Sequence, residues 1–140
     1  MTHIKLLTPE ELPTALADLQ LMAETGHAPD FNFFGPELIF VYTINGGIVA
    51  FGCLACYDGV WALRNCVVHP AYRGRGIQVH LIKKRVEYAR NQVASEVVVW
   101  VEPHNAGSLN NLVKCGFRHR EEPLKVFHGK QHIKLGYGRM

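Results

Sequence analysis

The sequence of 140 residues lacks the features that mark membrane and secreted proteins. No unbroken apolar run reaches about 18 residues, so no membrane-spanning helix is expected. The N-terminal stretch "MTHIKLLTPEEL" has no basic start followed by an apolar core, so it does not resemble a signal peptide. We therefore predict a cytoplasmic protein that does not act in a membrane.

The sequence also lacks a disulfide framework and a strong net charge. The four cysteines lie inside apolar stretches and form no secreted-type disulfide framework, which favours buried, reduced thiols. The formal net charge of +3 suits an anionic ligand but does not by itself indicate nucleic acid binding. With 48% hydrophobic and 19% charged residues, the chain has the composition of a globular protein. We predict a single domain over residues 1–140.

Turn signals organise the first half of the chain. "TPEE" at residues 8–11 predicts a helix start, with Thr8 as cap and Glu11 closing a capping box. "ETGHAPDFNFFGPE" at 24–37 indicates a loop, with a short helix inside it as an alternative. Asn45-Gly46 and Asp58-Gly59 each separate two β-rich runs, which is the strongest short-range hairpin signal. Residues 38–68 are therefore predicted to form a three-stranded antiparallel meander.

The second half has helical periodicity. A buried helical stripe is predicted from Val79, Ile82, Val86, Ala89 and Val93. The run "EVVVWV" follows as a buried strand, and strand–helix–strand order predicts that it lies parallel to the strand ending near residue 68. A short helix over 105–115 and a hairpin in "LKVFHGKQHIKLGY" complete a mixed α/β sheet flanked by helices.

A glycine-rich turn connects the meander to the long helix. In "NCVVHPAYRGRGIQVHL", residues 65–81, Arg73-Gly74-Arg75-Gly76 lies between strand and helix. Backbone N–H groups at a helix N-terminus bind phosphate, and glycine lets the phosphate approach closely. The alternative is a tight turn with solvent-exposed arginines.

Two motifs resemble the GNAT superfamily of acyl-CoA-dependent N-acetyltransferases. The family's "V-x-P-x-x-R-G-x-G-I-G" is matched by Val68, Pro70, Arg73, Gly74, Gly76 and Ile77. The family's "N-x-x-A-x-x-L-Y-x-K-x-G-F" is matched by Asn105, Ser108, Lys114, Gly116 and Phe117. The resemblance covers roughly residue 38 to the end. It implies the GNAT fold, in which an antiparallel meander is followed by a βαβ unit whose parallel strands splay apart.

The resemblance also implies acetyl-CoA as cofactor and assigns roles to matching positions. The backbone at Val67 and Val68 would bind the pantetheine arm, and one N–H there would polarise the thioester carbonyl. The pyrophosphate would lie on Arg73, Gly74, Arg75, Gly76, Ile77 and Gln78. Asn105, with Ser108 from the same motif, would contact the cofactor near its reactive end.

Three positions depart from the family pattern. Gln78 stands where glycine or alanine is usual, and either its side chain turns aside or its amide contacts the cofactor. Leu112 replaces a tyrosine often assigned as the acid that reprotonates the thiolate. Ala62 stands where family members that use a glutamate base carry it.

The sequence therefore leaves several candidates for the catalytic base and acid. Strand alternation predicts that Ala62, Arg64 and Cys66 share one face, which would place Arg64 beside the acyl group or in a salt bridge. Glu102 and His104 are the candidate bases. Water, Cys66 or Tyr137 could replace the missing acid.

Other patterns are weaker. Cys53-x-x-Cys56 and His128-x-x-x-His132 resemble zinc-ligand spacing, but the cysteines would face opposite sides of a strand, so we predict no metal site. The runs Lys83-Lys84-Arg85 and Arg118-His119-Arg120 could contact nucleic acid, or in the second case the cofactor's 3′-phosphate, although solvated surface is the favoured interpretation.

The expected function is direct acetyl transfer from acetyl-CoA to an amine of unknown identity. One alternative is a catalytically degenerate acyl-CoA sensor or scaffold, and another is a GNAT-type enzyme that modifies nucleic acid. We expect a monomer or a homodimer.

Overall fold

The computed structural model describes residues 1–25, 37–127 and 129–138. The helices are α1 Leu12–Thr25, α2 Ile77–Asn91 and α3 Ala106–Lys114, and a 3-10 turn covers Pro70–Tyr72. The strands are β1 Thr2–Leu6, β2 Leu38–Ile44, β3 Gly47–Tyr57, β4 Val60–Val68, β5 Glu96–Val101, β6 Arg118–His119, β7 Lys125–Phe127 and β8 Lys130–Gly138. No helix in these ranges is long and apolar enough to cross a membrane.

The strands form one mixed sheet in the order β1-β2-β3-β4-β5-β8-β6, with β7 paired to β8. Only the β4–β5 pair is parallel among the described strands. This confirms the predicted mixed sheet with a βαβ unit. The meander has one more strand than the sequence predicted, because β1 also pairs antiparallel with β2. Its short, mostly exposed sequence carries little of the apolar alternation that identifies a strand.

Local turn chemistry fixes the hairpins as predicted. Asn45 and Gly46 have φ values of 51° and 85°, and Asp58 and Gly59 have 50° and 81°. Two consecutive residues with positive φ define the type I′ turn, whose twist matches that of the flanking strands. The β7–β8 hairpin is also confirmed around Gly129, while His128 lies outside the described residues.

The predicted capping box begins the chain's first helical segment. Thr8 N–H donates to Glu11 Oε1 at 2.9 Å, and Glu11 N–H donates to Thr8 Oγ1 at 3.3 Å. Glu11 also pairs with Lys5, and these contacts hold the pKa of its carboxyl at about 2. Of the loop predicted at 24–37, residues 26–36 lie outside the described residues, and Glu24 and Thr25 belong instead to the end of α1.

Each face of the sheet is covered by different helices. On one side, which we call the α1 face, the core consists of Leu19, Met22, Ala23, Ile39, Val41, Phe51, Cys53 and Val67. On the other side, the α2 face, α2 and α3 contribute Ile77, Leu81, Ile82, Val86, Ala89 and Leu112 to the larger cluster. The β5–β8 half of the sheet makes no substantial contact with α1.

The helical stripe predicted for α2 was partly wrong. Val93 lies beyond the helix end, with φ 64° and 90% exposure, and Val79 is half-buried. The buried face instead includes Leu81 and Arg85. The apolar spacing places residue 85 in the core, and the helix keeps that geometry even though the residue there is an arginine.

Candidate functional site

The parallel strands β4 and β5 pair over a short length and then separate. Over the described length of both strands, pairing is limited to Trp61 with Val97 and Ala62 with Val98. Beyond these pairs the facing edges of the strands are not joined to each other. The sheet therefore contains an opening at the carboxyl ends of its two parallel strands, where ligands bind in open α/β sheets.

A cleft of about 590 Å³ occupies this opening. Both strands line it, together with side chains from α2, α3 and the β7–β8 hairpin. Its residues include Tyr57, Ala62, Arg64, Asn65, Cys66, Gln78, Arg85, Val98, Trp100, Glu102, Asn105, Ser108, Leu112, Phe127 and His132. Of the predicted catalytic residues, Glu102, Arg64 and Cys66 are all brought together here, as are the predicted binding residues Gln78, Asn105 and Ser108.

A β-bulge in β4 overturns the predicted common face of Arg64 and Cys66. Cys53 pairs with Arg64 and Gly52 with Cys66, so Asn65, with φ 23°, is an extra residue without a partner. Leu63 and Cys66 both pack on the α2 face, which places Arg64 on the α1 face with Ala62. Simple strand alternation fails here because a bulge inserts one residue and shifts the side-chain order.

Arg85 supports this bulge from the α2 face of the sheet. Its Nη1 donates to the carbonyl oxygens of Cys53 and Arg64, each at 3.0 Å, and its Nε donates to Leu81 O at 3.1 Å. The side chain is 2% exposed. The guanidinium also lies beside the Cys66 thiol, whose pKa is raised by burial against the opposing effect of this cation.

Arg64, by contrast, lies at the surface of the cleft on the α1 face. Its Nη1 donates to Tyr57 Oη at 2.9 Å and lies 3.4 Å from Glu37 Oε1. The Glu37 side chain is 2% exposed, and neither carboxylate oxygen forms a hydrogen bond. Burial therefore raises the pKa of Glu37, and the charge of Arg64 only partly offsets this effect. The predicted salt bridge of Arg64 is present, with a partner that sequence reasoning did not find.

The glycine-rich turn has the geometry of an anion site. Gly74 and Gly76 have φ values of 78° and 77°, and a Cβ at either position would meet no atom within 4 Å. Gly76 is the N-cap of α2 and has no side chain that could accept a hydrogen bond. The backbone N–H groups of the first turn, which begins at Ile77, therefore receive no side-chain cap from it. Free N–H groups at a helix N-terminus favour a bound phosphate.

The two arginines of the turn are ordered by neighbouring groups. Arg73 Nε donates to Val68 O at 3.2 Å, so this side chain returns to the end of β4. The Arg75 guanidinium stacks 5.0 Å from the centre of the Tyr72 ring. Val67 is buried and Val68 half-buried at the same strand end, so the Arg73 side chain connects the glycine-rich turn to the end of β4.

Gln78 turns toward α3. Its Nε2 donates to Ser108 Oγ at 3.3 Å, and its Oε1 accepts from Asn111 Nδ2 at 2.7 Å. Because its amide is used between the helices, Gln78 leaves the space in front of Gly74 and Gly76 open. The side chain also lines the cleft together with Ser108, so the predicted contact of its amide with the cofactor stays a prediction.

The second motif forms the start of α3. Asn105 is the N-cap, and its Oδ1 accepts from Ser108 N–H at 3.2 Å. Gly116, with φ 98°, follows the helix end as predicted, and Leu112 is buried at 4% exposure against the cleft. The motif therefore has a structural role in the helix as well as a position in the cleft.

Glu102 directly follows β5 at the cleft edge. Its Oε1 is buried without a hydrogen bond and lies 3.8 Å from Lys130 Nζ, while its Oε2 lies 3.8 Å from His104 Nε2. The aromatic side chains of Trp100 and Phe127, which pack edge-to-face, extend the same wall. Sequence reasoning missed Phe127 because β7 approaches the cleft only through its pairing with β8.

One arginine of each predicted basic cluster is buried in the protein interior. Arg85 is buried as described, and Arg120 is 9% exposed, with its Nε 2.8 Å from Glu96 Oε2 and its Nη2 donating to Gly138 O. Neither side chain is available to contact nucleic acid, and Arg120 is not available for the cofactor's 3′-phosphate.

The family follows from comparison of the sequence. The model of the acetyltransferase (GNAT) family matches residues 8–117. The chain belongs to this GNAT acetyltransferase family. An uncharacterized N-acetyltransferase of Methanocaldococcus jannaschii is 33% identical over 89 residues, which are 59% of this chain. The aligned region covers 39% of that relative, so the relative is much longer than the part this GNAT chain matches.

Solved structures share the fold of this GNAT protein. The ribosomal-protein-S18-alanine N-acetyltransferase from Escherichia coli superposes with a TM-score of 0.75 at 21% identity, covering 98% of this chain and 93% of that one. The PaiA N-acetyltransferase from Thermoplasma acidophilum, solved in complex with coenzyme A, gives 0.74 at 13% identity and covers 99% of each chain. The predicted GNAT-type fold is therefore confirmed.

Proposed function

We propose that this GNAT protein is an acetyl-CoA-dependent N-acetyltransferase that transfers its acyl group directly to an amine. The observation that carries the proposal is the opened β4–β5 pair beside an uncapped helix N-terminus. The opening provides the cleft of about 590 Å³, which Gln78 in the first turn of α2 lines. The start of α2 provides backbone N–H groups, and the turn before it provides the open Gly74 and Gly76. An elongated ligand with a diphosphate along its length and an acyl thioester at one end fits this arrangement.

The residues of the first motif would hold the cofactor. The N–H groups from Gly74 to Gln78 would bind the pyrophosphate at the positive end of the α2 dipole. Arg73 and Arg75 would add positive charge. The open edge of β4, at Val67 and Val68, would bind the pantetheine amides, and a β4 N–H near the bulge would bind the thioester oxygen. Asn105 and Ser108 would contact the cofactor from α3.

Acetyl-CoA would supply the acyl thioester, and the acceptor amine would enter along the aromatic wall. Trp100 and Phe127 offer apolar surface there, and Glu102 offers a carboxylate with one buried, unbonded oxygen. Such a group would attract an ammonium ion and could accept its proton, so we assign Glu102 as the base. Cys66 is a poorer acid candidate, because burial raises the pKa of its thiol and so makes it a weaker proton donor. Arg64 would face the acceptor from the α1 face.

The proposal identifies the acceptor only by its chemical class, an amine. The Escherichia coli neighbour is named for acetylating an alanine of a ribosomal protein, and a peptide amine is therefore a sensible first candidate here. Small amines belong in the same screen.

The first experiment is calorimetric titration of the purified chain with acetyl-CoA, with NAD and ATP as controls. We expect micromolar binding of acetyl-CoA alone, followed by release of free thiol when peptide and small amines are screened. Binding of acetyl-CoA without thiol release for any amine would favour the sensor alternative. The replacement of the family's usual acid by the apolar Leu112 would be consistent with that result. Absence of acetyl-CoA binding would refute the cofactor assignment.

A further inference from the structure

Arg85 is a buried cation in the wall of the cleft that no described carboxylate neutralises. Its hydrogen bonds go to three backbone carbonyls, and none of the ion pairs among the described residues includes it. Burying a charge without a counter-charge is costly, and hydrogen bonds to neutral carbonyls offset only part of that cost. Packing alone therefore does not explain an arginine at this position of α2.

The position of the cation is specific to the opening. Its Nη1 contacts the carbonyl of Arg64, the last residue before the bulge, and the guanidinium lies beside Cys66, the first residue after it. The strands β4 and β5 have already separated at this level, since their pairing ends at Ala62 and Val98. The positive charge therefore lies under the part of β4 that borders the cleft.

The other ionisable groups of the cleft do not provide an equivalent charge. They are Tyr57 on β3, Arg64 and Cys66 on β4, Glu102 after β5 and His132 on β8. Arg64 lies on the opposite face and is paired with Glu37 at 3.4 Å, and Glu102 is itself negative. From α3 the cleft is bordered by Leu112, which has no proton to donate, and by Ser108, whose hydroxyl is uncharged.

We propose that Arg85 stabilises the coenzyme A thiolate as it leaves, acting as a fixed electrostatic group in place of a proton donor. This inference rests on the proposed acetyltransferase function. In the transfer step the amine nitrogen bonds the acyl carbon, the carbon–sulfur bond breaks, and the electron pair leaves on sulfur. The amine's proton passes to the base and then to water. A cation held beside that sulfur favours the thiolate over the thiol.

The test measures the ionisation of bound coenzyme A without turnover. Thiolate absorbance of the complex with coenzyme A is titrated against pH, and the same titration with desulfo-coenzyme A is subtracted to remove the protein's own thiols. We expect the bound thiol to ionise at lower pH than free coenzyme A. In Arg85→Met the midpoint should rise by about one unit or more, a tenfold change in the thiol–thiolate ratio. Arg85→Lys, which keeps the charge, should stay near the wild type.

A matched control is Arg90→Met, which removes a cation from the exposed side of the same helix, where Arg90 donates to Tyr137 Oη. It should leave the midpoint unchanged. A wild-type midpoint at or above that of free coenzyme A overturns the inference, even if Arg85→Met does not fold. An Arg85→Met variant that binds coenzyme A with the wild-type midpoint also overturns it. Failure of the wild type to bind coenzyme A at all refutes the proposed function instead.

Discussion

Gly52 on β3 and Arg85 on α2 lie in direct contact, and each depends on the size of the other. A Cβ at Gly52 would lie 2.8 Å from Arg85 Cζ and 2.9 Å from its Nε. Only glycine leaves room for the guanidinium to reach the carbonyls of Cys53 and Arg64. The pair therefore determines how β4 is supported at its bulge.

This contact predicts non-additive effects on stability. Gly52→Ala should destabilise the protein by about 1–3 kcal/mol, because the added methyl group displaces a buried, hydrogen-bonded side chain. In the Arg85→Met background the same change should cost at least about 1 kcal/mol less, since a flexible side chain can give way. Urea unfolding of the four proteins measures the coupling. Gly47→Ala, on the same strand with only Ile44 O at 3.6 Å, is the control. Equal costs in both backgrounds would contradict the prediction.

The open space around Gly76 predicts a loss of cofactor binding on substitution. In Gly76→Trp the indole would fill the region in front of the α2 N–H groups, and calorimetry should detect no acetyl-CoA binding. Gly46→Trp is the control, because Gly46 has a similar φ of 85° and equally open surroundings in the β2–β3 turn. Both variants should lose about 1–2 kcal/mol of stability from the left-handed backbone. The assignment fails if Gly76→Trp binds acetyl-CoA as the wild type does.

The unbonded oxygen of Glu102 predicts a role in the transfer step. Glu102→Gln keeps the shape of the side chain but cannot accept the amine's proton, so thiol release should slow by about 100-fold or more. Affinity for acetyl-CoA should not change. Glu121→Gln, at an exposed position, is the control. A Glu102→Gln enzyme with wild-type turnover would exclude the carboxylate as base.

Burial of Glu37 predicts a pH-dependent stability. Its pKa in the folded protein is raised above the ordinary value of 4.5, so the folded state holds the proton more tightly than the unfolded chain does. The associated stability is present below about pH 4.5 and is lost as the pH rises through the raised pKa. Glu37→Gln removes this titration, so its melting temperature relative to wild type should be higher at neutral pH than in acid. A constant difference across the two conditions would count against this explanation.

Local chemistry made much of the fold predictable. Asn45-Gly46 and Asp58-Gly59 adopt type I′ turns because their residue types tolerate positive φ, whatever surrounds them. The Thr8–Glu11 capping box and the N-cap of Asn105 form within a few residues of chain. The βαβ order likewise placed β5 parallel to β4, and the motif resemblance led to the correct family.

The site depended on contacts between distant residues. The bulge at Asn65 separated Arg64 from Cys66, and no local signal in β4 indicated the extra residue. Glu37 and Phe127 reach the region of Arg64 and Trp100 only because β2 and β7 lie where the sheet order places them.

By itself the sequence determined the hairpin turns, the end of α3 at Gly116 and the glycine-rich start of α2, since each depends on the conformational preferences of adjacent residues. Only the tertiary structure decided which charges are buried. Arg85 was grouped with two lysines in the sequence, yet it lies in the core because helical periodicity turns residue 85 toward the sheet and Gly52 leaves space there. Burial is a property of the packed elements, so it appears only when strands and helix are assembled.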